Sequence, residues 1–197
     1  VLTDDGDGTV TPESKLTFDG SNLTVSGPHT NSGTKTTIAG GSENTIEATA
    51  NCSFIGGGSS NCIIANDNNF IGGGSQNTGS ADFGVIVGGY KNTVTEDGDG
   101  GFIGGGHCNS VKCTDGFIGG GFGNFIATNR QMVVVGGLTN CSTGDRSFIG
   151  GGRDNCITGA LSTIVGGCQN TGSAEGGAIV GGSTNTIEAT ANCSFIG

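Results

Sequence analysis

Phe54-Ile55-Gly56-Gly57-Gly58-Ser59-Ser60-Asn61-Cys62-Ile63 is the clearest copy of a pattern, x-Ile-x-Gly-Gly-x-x-Asn-x-(Ile/Val), that recurs through most of this chain. Copies start at Thr37, Phe54, Phe70, Val85, Phe102, Phe117, Val133, Phe148, Thr163, Ala178 and Phe195, in steps of 15 to 17 residues. The eleventh stops at Gly197 in mid-motif, so the sequence reads as part of a longer chain. Repetition at a near-fixed period decides the architecture before any single residue does.

A helix does not run through this motif, because each glycine costs about 1 kcal/mol relative to Ala there. The (Thr/Phe/Val)-Ile start is β-branched or aromatic and suits a short strand. Gly-Gly then supplies a sharp bend, and a second short strand follows the Asn. Strand, bend, strand and return loop make one coil, and coils stack at about 4.8 Å. The expected fold class is all-β: a parallel β-solenoid or β-roll of about ten coils of 15–17 residues over 37–197, a rod about 48 Å long.

Identical residues stack into ladders in such a fold. The Asn occurs in all ten complete copies, as Asn44, Asn61, Asn77, Asn92, Asn109, Asn124, Asn140, Asn155, Asn170 and Asn185. It is read as a structural ladder, hydrogen-bonding along the stack and to the bend, rather than as a ligand set. Neighbouring strand residues point to opposite faces. The Ile column, with Val134 in one copy and help from Ile46, Ile63, Val94, Val111, Ile126, Ile157 and Ile187, therefore fills the core.

The opposite face carries Phe54, Phe70, Val85, Phe102, Phe117, Val133, Phe148, Thr163, Ala178 and Phe195, each two residues before a second outward position. Every Phe in this column is paired with Gly, whereas the smaller residues are paired with Val or Ala, as in Val85/Val87 and Thr37/Ala39. Reciprocal volumes are expected where two positions fill one tight space. A continuous Phe/Val column is also more apolar surface than soluble monomers usually show. The column is therefore expected to be a homotrimer interface, with coils in register about a shared axis; two coils face to face is the alternative closed form.

Composition bounds the partners. The chain has 197 residues with 43 glycines, no tryptophan and a net charge of -10. That charge disfavours nucleic acid and anionic membrane surfaces. No apolar run of about 18 residues is present to insert into a membrane, and Val1 follows no signal-peptide pattern.

Residues 1–36 differ from the array and are expected to form an N-terminal hairpin segment and linker. Asp4-Asp5-Gly6-Asp7-Gly8 lacks the later ligands of a calcium loop and reads as a solvated turn. Leu16-Thr17-Phe18 and Leu23-Thr24-Val25 alternate around Asp19-Gly20, a strong hairpin signal. Residues 26–36 read as the linker.

The array resembles the head repeat of trimeric autotransporter adhesins (YadA-like). It is more similar to the Ile-Gly-Gly-Gly-x-x-Asn form of that repeat, which recurs in phage and virus fibre proteins as well as bacterial surface proteins. The resemblance covers 37–197, about four-fifths of the chain. Leu16 to Gly27 resembles a segment that often precedes such repeats in viral appendage proteins. The eight cysteines depart from adhesin heads, and the sequence contains no stalk, anchor or C-terminal chaperone pattern. The resemblance implies a trimeric parallel β-roll without cofactor, at a virion surface or extracellular. It further implies the structural shaft of a viral appendage that presents a host-attachment tip. The alternative is a bacterial adhesin head, and an ice-binding solenoid is a third reading, disfavoured by the irregular loops. A partner other than another copy would be a host-surface glycan or protein, met at the variable loops Glu47–Ser53, Ile64–Asn69, Thr95–Gly101, Lys112–Gly116 and Ala127–Met132.

Cys141 and Cys156 each follow the ladder Asn in adjacent coils, which places them within disulfide reach. Cys52 and Cys193 lie nine coils apart and cannot meet in one chain. His107-Cys108 with Cys113 lacks a fourth ligand, so no metal site is expected. His29 and His107, the only histidines, accompany no nucleophile signature, and no Gly-Lys-(Ser/Thr) follows any glycine triplet. The chain is therefore not expected to be an enzyme, and no residue is assigned as catalytic. Asn-x-(Ser/Thr) sequons stand at Asn22, Asn51, Asn140 and Asn192, of which Asn140 belongs to the ladder and should be inaccessible.

Overall fold

Each x-Ile pair forms a two-residue strand, and each such strand pairs in parallel with its equivalent one coil away. Phe54–Ile55 thus lies between Thr37–Ile38 and Phe70–Ile71, with Ile opposite Ile. The computed structural model describes residues 29–127 and 129–197, together with the backbone of strands Leu2–Asp4, Val10–Pro12, Leu16–Phe18 and Leu23–Val25. Among the described residues there is no helix. Strands from Thr37–Ile38 to Phe195–Ile196 make the first sheet, and those from Thr30–Asn31 to Thr186–Ile187 the second. The protein is a parallel β-solenoid of about 11 coils. A third line of contact, one bridge per coil, runs from Ser42 to Ser183 between the sheets in chain order.

The core is the space between the two sheets. The second residue of each first-sheet strand, from Ile38 to Ile179, is at most 1% exposed, and each such side chain contributes about 1.5–3 kcal/mol on burial. Opposite them stand Ile46, Ile63, Val94, Val111, Ile126 and Ile157, all 0% exposed. Four coils depart from this rule at the second strand, where Asn31, Gly79, Ser142 and Gly172 take the inward position. The Ser142 hydroxyl is hydrogen-bonded to that of Ser147. Beside Gly79, the interior holds the amide of Asn69, 2% exposed, which donates to Ala65 O and Asn66 O at 3.2 Å each.

The N-terminal boundary lies earlier than expected. Residues 29–36, read as linker, belong to the solenoid: Thr30–Asn31 pairs in parallel with Thr45–Ile46. His29 stands where later coils have the ladder Asn, and its Nδ1 accepts the Asn44 N–H at 3.2 Å. A short ring nitrogen can thus start the ladder without an amide. Leu16–Phe18 and Leu23–Val25 pair antiparallel, and the latter continues the first sheet in parallel with Thr37–Ile38. Leu2–Asp4 pairs antiparallel with Val10–Pro12. Residues 5–8 of the acidic opening, the Asp19-Gly20 turn, the Asn22 sequon and linker residues 26–28 lie outside the described residues.

Candidate functional site

Two devices hold successive coils together at the bend. The second glycine of each Gly-Gly pair sits in left-handed backbone; at Gly58, φ is +86° and an added Cβ would lie 2.0 Å from the Gly74 carbonyl oxygen of the next coil. Only glycine permits that approach. The ladder Asn then bonds in three directions. Asn61 Nδ2 donates to Gly57 O at 2.9 Å in its own coil and to Gly74 O at 3.0 Å in the next. Its Oδ1 accepts the Asn77 N–H at 3.0 Å. The nine members from Asn44 to Asn170 are fully buried. Asn140 is among them, with Nδ2 donating to Gly136 O and Gly152 O. Every polar atom has a protein partner, so the column is a cohesive spine.

A second ladder was not anticipated. Three residues before the first-sheet strand, Asn51 Oδ1 accepts the Thr34 N–H, Asp67 that of Asn51, Asp82 that of Asp67, and Asp99 that of Asp82, at 2.8–3.0 Å. Asp145 and Asn192 do the same for Arg130 and Glu175. The signal was present: Asn or Asp at a fixed offset, followed by a left-handed residue such as Cys52 (φ 53°) or Phe83 (φ 58°). Short polar side chains favour this turn. The sequon residues Asn51 and Asn192 are members, each accepting a backbone N–H through its Oδ1.

The outer face of the first sheet is where the Phe/Gly column lies. Rings stack along it: Phe54 on Phe70 at 5.5 Å, and Phe102 on Phe117 at 5.1 Å between centroids. The reciprocity of Phe with Gly has a source inside each coil. A Cβ at Gly56 would sit 3.3 Å from the Phe54 ring and 2.4 Å from the Gly72 carbonyl oxygen, so the ring lies over its own glycine. That covariation is accounted for without a second chain. Exposure is a separate matter. Phe70, Phe117 and Phe148 remain 37–39% exposed, and Val87, Val135, Val165 and Val180 remain 47–52% exposed, along one face of a single chain.

A shorter apolar stripe follows the third line of bridges. His107 packs edge-on between Tyr90 and Phe122, 4.8 Å from each, with Leu138 next in line. Lys91 Nζ lies 5.0 Å from the Tyr90 ring centre, a cation–π contact. The metal reading of His107, Cys108 and Cys113 is not assembled: Cys108 is exposed at a corner, whereas Cys113 is buried in the core. Among the described residues no three His, Cys, Asp or Glu side chains are grouped to hold a metal ion.

Unequal coil lengths open a cleft. The 15-residue coil from Phe102 lies between longer coils, and its short loop floors a cavity of about 800 Å³. Glu96, Asp97, Asp99, Lys112, Cys113, Thr114, Ala127, Asn129, Arg130 and Asp145 line it. Burial pushes the Cys113 thiol up to about 11, which makes it a poor nucleophile at neutral pH.

Cys141 and Cys156 are register partners in adjacent second-sheet strands, both half-buried. The two thiols act on each other: the neighbouring Cys141 pulls Cys156 down to about 7, while Cys156 and burial push Cys141 up. The chain matches no protein-family model and no curated protein. Among the described residues no helix is long and apolar enough to cross a membrane.

Proposed function

We propose that this chain is a structural shaft: a homotrimeric fibre segment at a virion surface, without catalysis, that carries a host-attachment tip. The observation that supports it is the half-exposed Phe/Val face running the length of the first sheet. An apolar patch of that extent on one face marks an interaction site. Because it repeats at every coil, a partner with the same repeat matches it at every coil, and three copies about one axis close the surface. The two internal ladders make each chain stiff enough to serve as a spacer. Resemblance to fibre repeats favours a viral appendage over a bacterial adhesin head. An ice-binding role fits less well: the outward second-sheet column Thr78, Thr93, Ser110, Phe125, Cys141 is not a regular array of small hydroxyls. If a host glycan or protein binds this segment, the polar cleft between unequal coils is the place for it.

Light scattering of the 19.2 kDa chain under reducing conditions tests the reading, with three chains per particle expected. Replacing Phe102 and Phe117 together by Asp puts two charges per chain at the shared axis and should give monomers. A wild-type particle of one chain, or a double variant with unchanged mass, would defeat the trimer.

A further inference from the structure

We propose that Cys141 and Cys156 are an oxidisable dithiol, and that their disulfide staples two successive coils of the solenoid together. The inference does not depend on the fibre reading.

Geometry carries it. Of the eight thiols, these two alone are register partners of each other. Cys62, in the same outward column, faces Thr45 and Thr78; Cys168 is bridged to Arg153 and Ser183. Parallel strand spacing of about 4.8 Å falls inside the Cα separation that a disulfide spans. The two backbones are held at that spacing by the ladder beside them. Asn155 N–H donates to Asn140 Oδ1 at 3.0 Å, and the Cys141 N–H donates to Asn155 O at 2.8 Å. Both sulfurs sit on an outer face, half-buried rather than sealed, so a small reagent can reach them.

The exchange balances with a small disulfide as oxidant, and Cys156, whose thiol the neighbouring Cys141 pulls down, attacks first. Against a small disulfide such as oxidised glutathione, the Cys156 thiolate bonds to one sulfur and expels one glutathione thiolate, leaving a mixed disulfide. Cys141 then loses its proton to solvent and attacks the Cys156 sulfur, expelling the second glutathione thiolate. Two electrons pass to the small disulfide, and the two protons released by the cysteines match the two reduced thiols formed. The closed ring spans 15 residues. Cross-linking a loop of that length should slow local separation of the two coils by on the order of a hundredfold.

The test uses the whole chain equilibrated with reduced and oxidised glutathione, quenched with iodoacetamide and digested with trypsin. Cleavage after Arg146 and Arg153 places the two cysteines in different peptides, 131–146 and 154–197. The expected result is loss of two alkylations and one linked pair of those peptides. The link should vanish in Cys141→Ser and in Cys156→Ser and persist in Cys168→Ser. Fold loss is not the concern at these positions, since Ser110 and Thr171 occupy the same column. Amide exchange in residues 141–157 should slow on oxidation. Full alkylation of both cysteines under oxidising conditions, glutathione stopping on Cys156 without release, or a link found only between chains would each overturn the proposal.

Discussion

Residues 44–56 and 185–197 share one sequence, Asn-Thr-Ile-Glu-Ala-Thr-Ala-Asn-Cys-Ser-Phe-Ile-Gly, and differ only in what lies beyond them. The first has a described coil on both sides, the second on one side only. Their local shape is the same. Ala50 N–H bonds to Glu47 O at 3.1 Å and Ala191 N–H to Glu188 O at 2.9 Å, while Cys52 and Cys193 take φ of 53° and 55°. Their burial is not. Ala50 is 0% exposed whereas Ala191 is only half-buried, and Phe54 is half-buried whereas Phe195 is 69% exposed. The motif alone thus sets the path of a coil, and the neighbouring coil supplies most of its burial. This division is what nearest-neighbour stability in a repeat protein means physically.

The sharpest way to break the equivalence is at the bend glycine. Gly41 and Gly182 have φ of +92° and +88° and the same preceding and following residues. A Cβ on Gly41 would lie 2.0 Å from Gly58 O and 2.7 Å from Gly58 N, whereas at Gly182 it meets only the Asn185 side chain. Gly41→Ala should therefore force coils apart and cost more than about 4 kcal/mol, in the range of severe backbone and packing defects. Gly182→Ala should cost about 1–2 kcal/mol for the left-handed backbone, plus a shift of the Asn185 side-chain amide, 2.7 Å from the added Cβ. Urea denaturation of the two variants side by side checks the ratio. Equal losses would mean that inter-coil contact at the bend is not the reason for glycine.

The ladder gives the next largest contrast. Asn44 Nδ2 donates to Gly40 O and Gly58 O, and its Oδ1 accepts the Asn61 N–H. Asn185 Nδ2 donates only to Gly181 O, at 2.8 Å. Asn44→Ala strands a buried amide and carbonyl, each about 1–3 kcal/mol, so a total loss of about 3 kcal/mol is expected. Asn185→Ala should lose about 1 kcal/mol, one exposed-side hydrogen bond. Amide exchange at Asn61 should quicken in the first variant and stay unchanged in the second.

Most of this fold was legible because the informative residues are those that repeat. Ile55 and its equivalents announced the core, Asn61 and its equivalents the spine, and Gly57-Gly58 the bend. What stayed hidden is carried by residues that do not repeat by identity. His29 substitutes for Asn through one ring nitrogen, so the coil it starts had no motif to show. Gly79 leaves room that the Asn69 amide occupies from a loop position, a trade between distant columns rather than within one. The second ladder uses Asn and Asp interchangeably, since only one side-chain oxygen matters, and it breaks where Thr114, Arg130, Ala160 and Glu175 hold the position. The Phe/Gly pairing was visible, but its cause within a coil is three-dimensional: the ring folds over its own glycine.

The smallest expected difference concerns the cysteines, and there the comparison should collapse. Cys52 and Cys193 are both exposed, at corners whose conformation is set within the coil. Burial by a neighbour does not enter, so their thiols should react with a small disulfide reagent at the same rate, within about twofold. Cys113 is the counter-case, 2% exposed in the core and pushed up to about 11 from an ordinary 9 by burial. Below pH 9 the thiol is protonated in both folded and unfolded chains. Between pH 9 and about 11 the unfolded thiol ionises while the folded one does not. That linkage lowers stability as pH rises through this window. Cys113 should thus be the last thiol to react at pH 8, and Cys113→Ala should flatten the decline in denaturation midpoint between pH 9 and 10.5. If Cys52 proves much slower than Cys193, the neighbouring coil reaches further into the corner than the shared geometry implies, and coil shape and coil burial are not separable in this array.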